Sequence, residues 1–82
     1  MNNDYMGELT YNNKTGIGLI INNKFKYSGE FKNNMFNGHG IYICLVDQKK
    51  YVGFFKNNLK CGNFKIYDLN NNLLESCFYS NE

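Results

Sequence analysis

The stretch that decides the fold is residues 27–43, YSGEFKNNMFNGHGIYI. Tyr27, Gly29 and Phe31 stand at alternate positions with polar residues between them, which is the period of a β-strand with one apolar face. The Asn-Asn pair at 33–34 then supplies two residues that tolerate a positive φ. The stretch therefore predicts a β-hairpin, and we place further turn chemistry at the other asparagine-rich points, Asn37-Gly38 included.

The same pattern occurs twice more, as YMGELTYNNKTGIGLII from Tyr5 and YVGFFKNNLKCGNFKIY from Tyr51. Tyrosine takes the first position of each copy, glycine the third and the twelfth. The fifth position is large and apolar, namely Leu9, Phe31 and Phe55. Because a fixed period marks a repeat architecture, we predict repeats at about 5–21, 27–43 and 51–67.

An incomplete fourth copy begins at Leu74, where LESCFYSN places Phe78 at the fifth position. Terminal repeats of an array are often atypical, so we predict a degenerate capping strand at 73–80. The alternative is that this segment folds back over the sheet and covers one of its faces.

The pattern Tyr-x-Gly-x-Phe followed by Gly-x-Gly resembles the MORN repeat family. The resemblance covers about residues 5–67, and the departures are Phe54, often polar in the family, and Phe64, where the family has glycine. It implies one domain, residues 1–82, built as a curved open sheet with an aromatic-lined groove. It also implies scaffold, targeting or partner-regulating roles, or attachment to anionic, phosphoinositide-like membranes.

Composition agrees with an all-β chain, because the sequence has sixteen Asn, seven Tyr, seven Phe and no Pro. We predict a single-layer antiparallel meander of consecutive hairpins with about seven strands. Nine lysines, no arginine and a net charge of +2 make nucleic acid an improbable partner. No signal peptide or apolar span of about 20 residues is visible, so we expect a cytoplasmic protein, with membrane association left open.

Residues for chemistry are sparse. His39 is the single histidine. Glu8 and Glu30 occupy the same repeat position and could form a carboxylate pair, but the third copy has Phe54 there. The three cysteines lack the C-x-x-C spacing of zinc or redox sites. Those cysteines, which we expect to be reduced, are Cys44, Cys61 and Cys77. We therefore expect no catalytic residue, no metal site, no cofactor and no enzymatic activity.

The aromatic side of the repeats is the first candidate surface. These residues are expected to be structural first and to contact a ligand second: Tyr5, Tyr27, Phe31, Tyr51 and Phe55. Together they define the predicted aromatic groove.

The opposite side is more apolar than a solvated face needs to be. Its most concentrated part is a predicted patch of five residues, His39, Ile41, Ile43, Val52 and Phe54. Exposed apolar patches usually mark interaction surfaces, so we predict a protein partner here. A homodimer, through this patch or through the edge strands, is one form that the interaction could take.

Lysines gather at the turns that join the repeats, namely Lys24, Lys26, Lys49 and Lys50. Such lysines ordinarily keep a surface solvated. Stacked turns would bring them to one rim, which is the basis of the alternative function, peripheral binding to an anionic lipid surface.

Overall fold

A computed structural model of the protein describes residues 4–10 and 13–80, with the side chains at 4, 6, 8–10 and 13 left aside. The predicted structural role of the Leu9 side chain therefore lies outside the described residues. Within the described ranges, no helix is long and apolar enough to cross a membrane.

The described chain forms seven strands in one sheet. They are β1 Asp4–Thr10, β2 Asn13–Ile21, β3 Phe25–Lys32, β4 Met35–Cys44, β5 Lys49–Lys56, β6 Leu59–Asp68 and β7 Leu73–Tyr79. Each strand pairs antiparallel with the next in the order β1 to β7, which confirms the predicted all-β, single-layer open meander. Because β7 pairs with β6, the C-terminal segment adds a strand and does not fold over a face.

A row of glycines crosses the sheet. The register places Gly7, Gly18, Gly29, Gly40 and Gly53 opposite one another on successive strands. Tyrosine rings lie on this row: a Cβ on Gly40 would stand 2.5 Å from Cε1 of Tyr27, and a Cβ on Gly18 would stand 2.7 Å from Cε1 of Tyr5. Glycine is needed at these places because any larger side chain would occupy the space of a ring.

In the third repeat, the ring that lies on the glycine row comes from the second strand of the hairpin and not from the first. Phe64 stands at the fourteenth position, where the earlier repeats have Gly18 and Gly40, and it pairs with Gly53. Its ring lies over Gly53, where a Cβ would stand 2.7 Å from Cγ of Phe64. Phe64 thus supplies from β6 the ring that Tyr5 and Tyr27 supply from β1 and β3.

The core is a chain of rings on one face of the sheet. Five edge-to-face pairs, with centroids 5.1–5.3 Å apart, run in the order Tyr5, Phe31, Tyr27, Phe55, Phe64 and Tyr79. Edge-to-face packing is a favoured geometry for aromatic pairs and adds to the stabilisation from burial. The sheet needs no second layer on this side because its own rings cover it.

Tyr27 is the centre of this core and is fully buried. Its hydroxyl donates a hydrogen bond to the backbone carbonyl of Glu30 at 2.9 Å, so the buried polar atom is satisfied. Burial, together with the charge of Glu30, raises the pKa of Tyr27 to about 12.

Asparagine links consecutive hairpins at one rim. The turns at 33–34 and 57–58 have positive φ at both residues, as in a type I′ hairpin turn. Asn34 Oδ1 accepts the Lys14 N–H at 2.7 Å, and its own N–H donates to the Lys14 carbonyl at 3.1 Å. Asn58 makes the same two bonds with Phe36, at 2.8 and 3.0 Å. These links fix the position of each hairpin against the one before it.

Asn37-Gly38 was predicted as turn chemistry between strands, and this prediction is wrong. Both residues lie inside β4, where the β3–β4 register shifts between Gly29 and Phe31. The shift forms a bulge, which requires a positive φ of 115° at Gly38. Gly62 has the corresponding place in β6, with φ 82°.

Gly40→Ala tests the packing of rings on the glycine row. The added methyl group would overlap the buried Tyr27 ring, and we expect a loss of about 2 kcal/mol in the free energy of unfolding. Urea denaturation followed by circular dichroism measures it, with Ser28→Ala on the opposite face as the control. Equal stability of the two variants would contradict the packing.

Asn58→Gly tests the link between hairpins. Glycine keeps the positive φ but removes the acceptor for the Phe36 N–H, so we expect a loss of about 1 kcal/mol in the free energy of unfolding. The matched control is Asn57→Gly in the same turn, which should cost less because Asn57 makes only one long side-chain bond, 3.3 Å to Asn37. The link would be refuted by an equal loss in both variants.

Candidate functional site

The register of β4 and β5 brings most of the predicted patch together. Ile41 pairs with Val52 and His39 pairs with Phe54. The His39 and Phe54 rings meet edge to face with centroids 5.3 Å apart. Ile41 is 38% exposed and Phe54 is 40% exposed, so the patch is open to solvent.

Ile43, the fifth predicted member, lies at the end of the patch. It pairs with Lys50 on β5 and with Lys26 on β3, so a lysine flanks it on each side. The patch therefore has a basic end at Ile43 and an apolar end at Phe54.

The patch face extends beyond the predicted residues. Ile17 on β2 and Phe78 on β7 have the same facing in the register and are 63% and 68% exposed. The alignment of Phe78 with the fifth position of the repeat is therefore wrong, because Cys77 and not Phe78 pairs with the core residue Phe64. A shallow cavity of about 270 Å³ lies between β4 and β5, lined by Ser28, His39, Gly40, Ile41, Val52 and Gly53. The face thus offers both exposed apolar groups and a depression between them.

The predicted aromatic groove divides into two parts. Tyr27, Phe31 and Phe55 are 0%, 3% and 2% exposed, so they belong to the core. Tyr5 and Tyr51 are half-buried at its edge. The open cavity on this face has a volume of about 390 Å³ and is lined by Phe25, Phe36, Tyr42, Phe55, Asn58, Leu59, Lys60 and Tyr79.

The residues that line this cavity also show that the sheet is curved. Phe25 on β3 and Tyr79 on β7 line it together although their strands are four apart. Four strand spacings amount to roughly 19 Å in a flat sheet. The sheet therefore curves around its aromatic face.

Lys60 in this cavity was not predicted. Its ammonium group lies 4.4 Å from the ring centroid of Tyr51, 5.4 Å from that of Tyr79 and 5.7 Å from that of Tyr42. These distances are those of cation–π contacts. The only sequence signal was a lysine in a strand rich in aromatic neighbours, and that signal does not specify which rings it meets.

Tyr51 is the tyrosine of the third repeat, and its ring does not cover the glycine row as Tyr5 and Tyr27 do. Since Phe64 covers Gly53, the Tyr51 hydroxyl is directed to Asp47 in the β4–β5 turn and donates to its Oδ2 at 2.8 Å. Burial raises the pKa of Tyr51, and the bond to Asp47 raises it further.

The four predicted lysines lie near one rim but do not share one direction. Leu45 N–H donates to the Lys24 carbonyl at 2.8 Å, which joins the first two inter-repeat turns. The Lys50 ammonium bonds Asn71 Oδ1, which joins the second turn to the third. Lys26 faces the patch side beside Ile43, whereas Lys49 pairs with Cys44 on the aromatic side.

Groups capable of catalysis are few in the described ranges. His39 contacts the Phe54 ring, and the three cysteines are free thiols. No group of three or more His, Cys, Asp or Glu side chains among the described residues is placed to hold a metal ion. The Cys44 thiol lies beside Asp47, which also accepts the Tyr51 hydroxyl, so a thiol, a carboxylate and a phenol meet at the β4–β5 turn.

Two segments of the sequence match a known family of repeats. The sequence profile of the MORN repeat matches residues 27–44 and 51–63, which cover the whole second repeat and the first part of the third. A search of curated proteins finds no match. Modules with this repeat generally bind proteins or membranes. The matched segments make up 31 of the 82 residues and lie in β3 to β6 of the hairpin meander, so this part of the chain is similar to the MORN repeat.

Proposed function

We propose that the protein is a non-catalytic interaction module that binds a protein partner on its patch face, in a scaffold, targeting or partner-regulating role. The observation that supports it most is the one-sided packing of the sheet. Rings cover the glycine row on the aromatic face, while Ile41, Val52 and Phe54 stay accessible on the other.

The exposed apolar groups supply the free energy for such binding. Full burial of one Ile or Phe side chain contributes about 1.5–3 kcal/mol. Ile17, Ile41, Phe54 and Phe78 span the patch face from β2 to β7 and are each at least 38% exposed. A partner that covered only part of this area would gain enough to offset much of the cost of association.

Charge favours a foreign partner over a second copy. Lys26 and Lys50 stand on both sides of Ile43 at the basic end of the patch. Two copies meeting face to face with their basic ends together would bring like charges into contact, which costs free energy. A partner with acidic groups beside its apolar residues fits this end better.

Selection from a displayed peptide library, with no partner assumed, tests this proposal. The Val52→Lys, Phe54→Lys variant should bind the selected peptides at least about tenfold more weakly, because it places two charges in the patch. The matched control is Asn23→Lys, Asn70→Lys, which adds the same charge at two exposed turn residues.

Wild-type binding should be retained by that control. If selected peptides bind the patch variant as tightly as the wild type, the patch is not the binding surface. Light scattering on the same proteins decides the homodimer: a wild-type dimer that the patch variant converts to a folded monomer would make a second copy the occupant.

A second candidate function is attachment to an anionic membrane through the lysine rim. Val46, in the turn that joins β4 to β5, is 78% exposed and would enter the lipid first. Each lysine near such a surface contributes about 1 kcal/mol, but Asp47 and Asp68 lie at the same rim. Vesicle binding abolished between roughly 0.1 M and 1 M salt, and by Val46→Lys, would favour this function.

A further inference from the structure

In the second repeat, a carboxylate occupies a site above the bulge glycine. Glu30 Oε2 accepts the His39 N–H at 2.8 Å. A Cβ on Gly38 would stand 2.6 Å from Glu30 Cδ, so the carboxyl group lies directly over the glycine. The bulge therefore presents a glycine surface and a backbone N–H that together hold one carboxylate.

The third repeat has the bulge but not the carboxylate. Gly62 and Asn63 take the places of Gly38 and His39, and Phe54 takes the place of Glu30. The Phe54 ring is directed to His39, and, apart from the chain neighbours of Gly62, no atom of the described residues lies within 4 Å of a Cβ built on Gly62. The space that Glu30 fills in one repeat is thus open in the next.

The surroundings of this open space suit a carboxylate from outside. A cavity of about 530 Å³ adjoins it, lined by Asn63, Phe64, Lys65, Ser76, Cys77 and Phe78. Lys65 is exposed, as is Lys56 on the same face of β5. Strands β5 to β7 carry two carboxylates, Asp68 and Glu75, and both pair in register with residues of the other face.

We propose that Gly62 and Asn63 form a binding site for a glutamate side chain of the protein partner, with apolar neighbours of that glutamate resting on Phe54 and Phe78. This inference rests on the proposed function and names the chemistry of its partner. The ligand class follows from Glu30, which is the occupant of the equivalent site within the same chain. The exposed rings on either side are 40% and 68% accessible.

Nuclear magnetic resonance on the ¹⁵N-labelled full chain tests the site with two defined probes. They are the acetylated and amidated tripeptides Leu-Glu-Leu and Leu-Gln-Leu, which differ only in the carboxylate. The Asn63 amide should shift saturably with the glutamate peptide, and the glutamine peptide should bind about tenfold more weakly. The His39 amide, already bonded to Glu30, is the internal reference and should stay in place.

Phe54→Glu supplies the chain with its own carboxylate at this site, and Phe54→Leu is the matched control. In the glutamate variant without peptide, the Asn63 amide should already lie close to its peptide-bound position, and the glutamate peptide should shift it no further. The leucine variant should still respond to that peptide. Circular dichroism on both variants verifies that each is folded.

An Asn63 amide that stays fixed, or that responds equally to both peptides, would overturn the inference. The same holds if the Phe54→Glu variant still binds the glutamate peptide as the wild type does. Failure here leaves the proposed function standing if the patch variant loses its selected peptides, because those contacts are made with Val52 and Phe54 and need no carboxylate. Failure of both experiments would remove the patch face as a binding surface.

Discussion

The contact on which the rest of the structure depends is a tyrosine ring lying on a glycine of the neighbouring strand. Tyr27 can reach the middle of the sheet only because Gly40 offers no side chain. Each such ring then packs edge to face against the next, and the ring chain becomes the core of a sheet that has one layer. Glycine thus contributes here through the space it leaves, at positions that alternate with exposed apolar residues.

This contact gives the two faces different roles. The rings pack on the face where the glycines would carry their side chains, and the sheet curves around these rings. Ile41 and Val52, one residue along from Gly40 and Gly53, are directed away from the rings, and none of the seven described strands lies above them. The rings form the core on the other face, so this face remains available to a partner.

Sequence reasoning reached the features that depend on period and alternation. The all-β antiparallel meander follows from residues that recur in register, and the structure agrees. It did not reach contacts between residues about twenty apart, such as Asn58 with Phe36. Gly38 was placed in a turn because a positive φ serves a turn and a bulge equally well, and local sequence does not separate them. The resemblance implied an aromatic groove, but the lining of the open cavity by Phe25, Lys60 and Tyr79 was missed, since it arises from curvature.

The central claim is that rings pack on one face and leave the other open, and ring-current shifts in the proton spectrum test it most directly. The Gly40 Hα protons, beneath the Tyr27 ring, should lie well upfield of the Gly62 Hα protons, because no ring of the described residues comes within 4 Å of the Cβ position of Gly62. Tyr27→Leu should move Gly40 back while leaving Gly62 unchanged. Gly40 and Gly62 resonances at similar positions in the wild type, or a Gly40 shift insensitive to the loss of Tyr27, would contradict the account.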